Sequence, residues 1–421
     1  MLITFLEWFR ENVWDFPGAG LVNYITFRAG LAAILSLVIS MIWGGRVIRF
    51  LKKRQMGETV RDLGLQGQKA KEGTPTMGGV IIIMAILIPC ILVCRLDNIY
   101  VIIMIISTLW MGVIGFADDY IKVFRKDKQG LKGYVKILGQ VGLGLIIALT
   151  MLNNDQIVVR MDVSTAKELG LEDRIVGQVD RTERDGELIE AKGNYKALIT
   201  NVPFTKGNRL DYHNLIPLPK EQSRKWVGLL FIPLIIVIVA AVSNGANLTD
   251  GLDGLATGVS GIVGLTLAVF AYVSSNAIAA DYLGITQLPG TQELTIFAAC
   301  FLGACLGFLW YNSYPATVFM GDTGSLTIGG IIAAMAILLR KELLIPFICV
   351  IFLAENLSVM MQVAYFKYTR RKYGEGRRLF LMAPLHHHYQ KKGVPETKIV
   401  TRFWIVSILF AVFTILTLKI R

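Results

Sequence analysis

Long apolar runs alternate with short polar links along most of this chain. About ten runs are candidates for membrane spans, because a helix needs about 20 apolar residues to cross the hydrocarbon core. They lie at about residues 21–45, 76–95, 99–117, 135–152, 227–245, 255–275, 293–311, 324–340, 344–366 and 401–419. An open sheet edge cannot exist in lipid. The pattern therefore predicts an all-α integral membrane protein with about ten transmembrane helices.

One segment interrupts this alternation. Residues 153–226 are polar and hold twelve basic and twelve acidic side chains. Short apolar stretches at 156–160 and 175–179 predict a few β-strands. We expect a first membrane part at 1–152 with spans one to four, an insert at 153–226, and a second membrane part at 227–421 with spans five to ten. The insert holds no catalytic constellation, so we expect it to be dispensable for chemistry.

The basic residues predict the orientation. Residues 46–75 hold eight Lys or Arg, 116–134 hold five and 367–399 hold nine, whereas the alternate links hold at most two each. Cytoplasmic loops carry such an excess. The basic loops are therefore predicted to be cytoplasmic, and both termini and the insert periplasmic. Residues 1–20 mix charges with aromatic side chains and predict a retained interfacial segment.

Composition agrees with this picture. Hydrophobic residues make up 54% of the 421, and the formal net charge is +12. Because the insert is neutral, the surplus belongs to the membrane part. It favours anionic lipid headgroups of the bilayer and phosphorylated substrates, and no nucleic acid partner is expected.

The first polar cluster ends the third span. Asp118 and Asp119 are adjacent, which normally requires a cation or a raised pKa. Lys122 lies four residues after Asp118 on the same helical face, and Lys136 lies four residues after Lys132. The alternative is an ordinary helix end with solvated charges.

The second cluster links spans five and six. Residues 243–254 include Asn244, Asn247, Asp250, Gly251 and Leu252. Glycine lets a ligand approach the backbone, and Asn and Asp can bind a base, a ribose or a hydrated metal. The alternative is a plain tight turn.

The third cluster links spans seven and eight and holds Asn312, Phe319 and Asp322. Backbone N–H groups at a helix start favour anions. A carboxylate beside phosphates implies a metal between them, and Mg²⁺ commonly binds one or two carboxylates plus substrate phosphate. Phe319 could stack on a base or simply pack.

The fourth cluster is a run of three histidines, His386, His387 and His388, in the last basic loop. Successive helical residues point about 100° apart, which disfavours a compact zinc site. Imidazoles there could bind phosphate or hold carboxylates. In the ninth span Glu355, Ser358 and Gln362 share one face, either as a functional group or as an interior polar network.

These clusters, in this order, closely resemble the polyprenyl-phosphate N-acetylhexosamine-1-phosphate transferases, and within them the phospho-N-acetylmuramoyl-pentapeptide transferase family. The resemblance rests on residues 74–79, 247–254, 318–325 and 384–388 and covers all ten spans. It implies a ten-helix homodimer. The implied reaction transfers phospho-MurNAc-pentapeptide from UDP-MurNAc-pentapeptide to undecaprenyl phosphate in the inner membrane, giving lipid I and UMP for peptidoglycan synthesis.

The resemblance also implies roles for residues. Asp118, Asp119 and Asp322 would form the acidic catalytic centre with Mg²⁺ on Asp322, and His386–His388 match the family's histidine motif. The matched substrate positions are Thr76, Lys122, Lys136, Asn244, Asn247, Asp250, Gly251, Leu252, Asn312 and Phe319. Direct transfer and a route through an aspartyl-phosphate both remain open.

Two departures from the family pattern stand out. Tyr389-Gln390 replaces the frequent Phe-Glu after the histidines, and the insert is longer than the usual link. A sister enzyme that uses UDP-GlcNAc is the nearest alternative, and the histidine motif argues against it. A secondary transporter is more distant, because transporters place polar sites near the midplane within internal repeats.

Overall fold

The structure is a computed structural model that describes residues 8, 10, 12, 13, 19–54, 71, 73–125, 127, 129–184, 187–203 and 209–419. Most of the interfacial segment predicted at 1–20, and residues 55–70 of the basic loop, lie outside the described residues.

The described chain is mostly helical. Its α-helices, in chain order, are α1 (Ile25–Lys53), α2 (Gly79–Val93), α3 (Ile99–Phe124), α4 (Gly133–Asn153), α5 (Val163–Glu168), α6 (Lys220–Thr249), α7 (Leu255–Ser275), α8 (Ala277–Leu283), α9 (Gln292–Asn312), α10 (Gly321–Leu338), α11 (Ile345–Ile348), α12 (Val350–Tyr373), α13 (Leu385–Lys391) and α14 (Glu396–Thr417). Four short 3₁₀ helices add Ala19–Asn23, Glu172–Arg174, Tyr212–Leu215 and Glu342–Leu344.

Eight helices of the described residues are long and apolar enough to cross a membrane: α1, α3, α4, α6, α7, α9, α10 and α14. A ninth candidate is the pair Glu342–Ile348 and Val350–Tyr373, which bends by 81°. Helix α2 is apolar but has only 15 residues. An all-α membrane architecture is therefore confirmed, whereas the count of ten spans and the side of the termini stay predictions.

Helix α10 lies at the centre of the bundle. Every residue from 323 to 338 is buried, and the helix packs against α2, α3, α4, α6 and α7. Its glycines and alanines let neighbouring backbones come close, which is how helices associate in a membrane. A helix that is apolar all round belongs in such an interior. This placement fixes the first turn of α10 relative to α2 and α3.

A buried ion pair joins α1 to α9 at the end of the bundle opposite that turn. Arg28 donates to both carboxylate oxygens of Glu293 at 2.7 Å, and to the carbonyl of Val93 at 2.7 Å. Both side chains are almost fully buried. The bidentate geometry satisfies the charges of both groups away from water.

The insert forms two small antiparallel sheets. Strands β1 (Val159–Asp162), β2 (Asp180–Arg184) and β3 (Glu187–Tyr195) pair in the order β1-β3-β2, and β4 (Ile199–Asn201) pairs with β5 (Arg209–Asp211). The strand predicted at 156–160 corresponds to β1. The one predicted at 175–179 is wrong, because Ile175 makes only an isolated bridge to Tyr195 and the regular strand begins at Asp180.

The insert is joined to the membrane part through buried charges. Tyr212 donates its hydroxyl to Glu342 at 2.7 Å, and Lys341 donates to the side chain of Asn201. The backbone of Asn201 also donates to the carbonyl of Arg340 at 3.1 Å. Removal of the insert would leave these charged groups without their partners. We therefore expect the insert to stabilise the fold. We still expect it to be dispensable for the chemical reaction.

We predict that Glu293→Gln lowers the apparent melting temperature in detergent, because breaking one partner of a buried ion pair costs about 3–5 kcal/mol. The double variant Arg28→Met/Glu293→Leu should recover most of the loss, since no unpaired charge remains. Equal melting of the single variant and the unaltered chain would contradict this account of the pair.

Candidate active site

Two lysines and two carboxylates form a network of ion pairs where α3, α4 and α10 meet. Lys122 lies 2.5 Å from Asp118 and 3.1 Å from Asp322, and Lys136 lies 3.0 Å and 2.5 Å from the same two carboxylates. Each lysine is thus shared between two acids from different helices. The Asp118 side chain is fully buried, whereas Lys122 is 34% exposed. The lysines therefore face the opening of the site and the acids lie behind them.

Asp119 has a different role from its neighbour. Its Oδ1 accepts from the backbone N–H of Asp322 at 3.0 Å. Its Oδ2 accepts from the N–H and the hydroxyl of Thr323 at 2.8 and 2.6 Å. A carboxylate suits these N–H groups because the first turn of a helix has unpaired donors and a positive partial charge. Asp119 therefore fixes the start of α10, and with it Asp322.

The approach of α10 to α3 depends on two glycines. A Cβ at Gly115 would lie 2.2 Å from the carbonyl oxygen of Asp322. Gly321 has φ of +70°, and a Cβ there would lie 2.5 Å from Oδ2 of Asp119 and 3.0 Å from Oγ1 of Thr76. Only glycine combines this conformation with this space. Thr76 is buried beside the same turn.

The second cluster reaches the carboxylates through Asn247. Its amide donates to Asp322 at 2.9 Å and to Ser325 at 2.8 Å. One turn earlier, Asn244 exchanges hydrogen bonds with Gln140 of α4 at 3.1 and 3.2 Å. Asp250 follows α6 directly, Gly251 is exposed and Leu252 is buried. The end of α6 therefore borders the lysine and carboxylate site.

The third cluster is held partly by its own polar groups. The Asn312 oxygen accepts from Gly254 N–H and the Thr257 hydroxyl, at 3.2 and 2.9 Å, and its amide donates to the carbonyl of Val318 at 3.0 Å. Asn312 is buried and so joins the second and third clusters. Phe319 is half-buried. Binding of substrate by these two residues stays a prediction.

The histidine run lies on α13, and its three rings make different contacts. His386 is fully buried and packs on the second cluster, because a Cβ at Gly251 would lie 2.2 Å from its Nε2. His387 lies 2.8 Å from the side-chain oxygen of Gln390. His388 accepts from the backbone of Leu381 at 3.1 Å. The run therefore closes one side of the site.

The polar face of the ninth predicted span holds this loop. Glu355 accepts from the backbone N–H of Leu385 at 2.6 Å and of His386 at 3.3 Å. Gln362 accepts from Leu379 and Phe380 N–H at 3.0 and 2.9 Å. Glu355 and Gln362 therefore form an interior polar network, which was one of the two alternatives predicted for this face.

A second cluster of charged residues, which was not predicted from the sequence, lies near the site. Lys71 lies 2.7 Å from Asp253 and 2.6 Å from Glu396. Burial lowers the pKa of Lys71, but Glu396 and Asp253 outweigh that effect and raise it. Asp253 also accepts from the backbone of Ala316 at 3.0 Å. The three residues are far apart in sequence. Only Asp253, which belongs to the second cluster, could have been singled out from the sequence.

The site suits phosphate groups and a hard divalent cation. Oxygens of Asp118, Asp119 and Asp322 lie within 4.8 Å of one another, and Mg²⁺ prefers oxygen ligands of this kind. Oδ2 of Asp118 is buried and accepts no regular hydrogen bond, although it contacts Lys122. These carboxylate oxygens are therefore suitable ligands for Mg²⁺. Asp119 is the least available of the three residues for binding a metal, because both of its oxygens accept hydrogen bonds from α10.

Two descriptions of known protein families match parts of the chain that contribute to this site. A family model described as Glycosyl transferase family 4 matches residues 196–340, and Phospho-N-acetylmuramoyl-pentapeptide-transferase signature 1 matches residues 71–83. The first match includes the second and third clusters, and the second includes Lys71 and Thr76.

Several relatives match along their whole length. A protein named phospho-N-acetylmuramoyl-pentapeptide-transferase from Flavobacterium psychrophilum is 54% identical over 420 residues, which cover 100% of both chains. Proteins of the same name from Parabacteroides distasonis and Porphyromonas gingivalis are 53% and 51% identical and cover 97% and 96% of this chain and 97% of their own length.

The bundle and its lysine and carboxylate site define a membrane-embedded glycosyl transferase. Within that class, the chain belongs to the phospho-N-acetylmuramoyl-pentapeptide-transferase family. The family recognised from the four motifs is thereby confirmed.

We predict that Gly321→Ala abolishes at least 99% of transferase activity, because the added Cβ clashes with Asp119 and displaces Asp322. Activity and size-exclusion behaviour are measured together. Gly30→Ala is the matched control, since a Cβ at Gly30 meets nothing within 4 Å. Full activity of Gly321→Ala would refute the proposed role of this turn.

We predict that His387 is neutral throughout the physiological pH range. Burial, together with neighbouring His386, lowers the pKa of His387 to about 4. The unfolded chain binds a proton below about 6.5, so this residue makes folding less favourable as the pH falls from about 6.5 to 4. In histidine-labelled protein, the His387 signal, assigned with His387→Asn, should not titrate between pH 8 and 5.5. A midpoint near 6.5 would contradict this.

Proposed function

We propose that the protein transfers phospho-MurNAc-pentapeptide from UDP-MurNAc-pentapeptide to undecaprenyl phosphate, releasing UMP and forming lipid I. Membership of the phospho-N-acetylmuramoyl-pentapeptide-transferase family supports this substrate pair. The observation that carries the chemistry is the sharing of Lys122 and Lys136 between Asp118 and Asp322.

The main physical difficulty of the reaction is the approach of two anions. The second pKa of a phosphate monoester is near 6, so the lipid phosphate is mostly dianionic at neutral pH and needs no strong base. In direct transfer, one of its oxygens attacks the β-phosphorus of the nucleotide. The bond from that phosphorus to the bridging oxygen breaks, and the electron pair leaves with UMP.

The two lysines are placed to offset this repulsion. Lys122 and Lys136 are 34% and 21% exposed, so their ammonium groups can turn from the carboxylates to incoming phosphate oxygens. Fixed positive charge in a partly desolvated site stabilises a developing phosphoryl charge. Asp118 is fully buried behind both lysines, and we assign it to their positioning.

We propose that the enzyme depends on Mg²⁺, held by Asp322. When bound, this ion would neutralise phosphate charge and polarise the phosphoryl group under attack. Asp119 keeps α10 in place in this proposal, and Asn247 orients Asp322 through its 2.9 Å hydrogen bond.

The remaining polar clusters are proposed to bind the nucleotide. Asp250, Gly251 and Leu252 lie beside the Asn247 end of the site, and Phe319 is half-buried near it. We place the uracil against Phe319 and the 250–252 turn. His386 packs under Gly251 and supports that turn. The family resemblance further supports a homodimer in the inner membrane, with this site on the cytoplasmic face.

We predict that Asp322→Asn lowers the rate of UMP release at least about 100-fold, because the loss of one preorganised electrostatic contact typically has that effect. The assay contains UDP-MurNAc-pentapeptide, undecaprenyl phosphate and Mg²⁺. A parallel reaction with UDP-GlcNAc tests the sister activity, and chelation of Mg²⁺ tests the metal.

Asp97→Asn is the matched control, since Asp97 is exposed at the opposite end of α3. It should retain full activity. Near-normal turnover of correctly assembled Asp322→Asn would refute the assignment of Asp322, and equal use of UDP-GlcNAc would refute the proposed donor.

A further inference from the structure

A cavity of about 260 Å³ lies at the end of the bundle opposite the active site. Its walls come from the insert and from the ends of α4 and α6, and include Met151, Arg174, Lys196, His213, Lys225 and Val227. Lys136 is in the first turn of α4 and Met151 in the last. Because a helix rises 1.5 Å per residue, the cavity is roughly 20–25 Å from Lys136 along that axis. We call it the basic cavity.

The charged side chains that line this cavity are basic. Within the described part of the chain, Arg174, Lys196 and Lys225 line it and no carboxylate does, although the lining residue His213 lies 2.7 Å from Asp211. Lys196 is held in place by the carbonyl of Asn153 at 2.8 Å and by exposed Asp155 at 2.6 Å. Among the described residues, the side chains of Arg174 and Lys225 have no ion-pair partner. An anion that enters the cavity would therefore contact Arg174 and Lys225, which have no ion-pair partner in the part of the chain that the structure describes. It would also contact Lys196, whose position is already fixed.

The surroundings place the basic cavity at the membrane surface. Trp226, next to Lys225, is 54% exposed, and Leu229 on the following turn is 69% exposed. Tryptophan is enriched where hydrocarbon meets headgroups. On the α4 side, Leu149 is also exposed. Apolar side chains thus continue from the cavity along the outer surface of α4 and α6, in the direction that acyl chains take.

We propose that the basic cavity binds the phosphate of an anionic phospholipid headgroup. Its volume is below the roughly 300–1,000 Å³ of drug-sized ligand pockets, which suits a headgroup. The apolar path beside it distinguishes a lipid from a free anion. Arg174 and Lys196 belong to the part of the insert that precedes α6, whereas Lys225 lies in the helix α6 that continues into the membrane part. The bound lipid would therefore join the two. This inference is independent of the proposed transferase reaction.

The test measures lipid binding to the full-length protein by native mass spectrometry. Phosphatidylglycerol is titrated against the unaltered chain and against Arg174→Gln/Lys225→Gln. We expect about 30-fold weaker binding to the double variant at the cavity, since each basic side chain near anionic lipid contributes about fivefold. Lys225→Gln alone should weaken binding about fivefold. Lys167→Gln, which removes one exposed charge of the insert outside the cavity, should have no effect.

Two further titrations identify the source of the phosphate. Zwitterionic phosphatidylcholine should bind no more tightly to the unaltered chain than to the double variant, and inorganic phosphate at the same concentration should not displace phosphatidylglycerol. Equal phosphatidylglycerol binding by all variants would overturn the site. Displacement by inorganic phosphate would overturn the lipid assignment. Transferase activity is recorded for each variant and should be unchanged.

Discussion

The candidate active site depends on a single contact between a carboxylate and a helix start. Asp119 accepts three hydrogen bonds from the first turn of α10, and the glycines at 115 and 321 allow the two backbones to come that close. Asp322 is therefore placed by main-chain geometry, which does not relax as a flexible side chain would. The two adjacent aspartates therefore have different roles. Asp119 positions the start of α10, and Asp118 contacts the two lysines.

The lysines give this site a charge balance that substrate can change. Two ammonium groups face two carboxylates, and each ammonium contacts both. Each ammonium group has two carboxylate partners at similar distances. In the proposed reaction, exchange of one carboxylate for a phosphate oxygen would need only small side-chain movements. The buried amide of Asn312 and the polar face with Glu355 and Gln362 hold the surrounding loops, so these movements occur within a fixed frame.

Much of this arrangement was predictable from sequence, because a membrane restricts the possible folds. Apolar length identified eight membrane helices, whereas the second predicted span is a helix of only 15 residues and the ninth is bent by 81°. Polar clusters at the helix ends predicted the candidate site. The different roles of Asp118 and Asp119 were not predictable, since they depend on how α10 enters between neighbouring helices. The contacts of Lys71 with Asp253 and Glu396 join residues distant in sequence. The strand expected at 175–179 failed because short apolar stretches predict pairing without specifying its register.

The ion pair of Arg28 and Glu293 has a consequence for biogenesis. The two residues are separated by 265 positions, and synthesis at about 5–20 residues per second takes roughly 13–53 s to make that length. During this interval the first helix is in the translocon or bilayer with a guanidinium whose partner does not yet exist. A charge in such a position is costly in hydrocarbon. Because Arg28 lies in the first turn of α1, its long side chain can reach the headgroup region during this interval, and the contact between α1 and α9 forms only after α9 has been made.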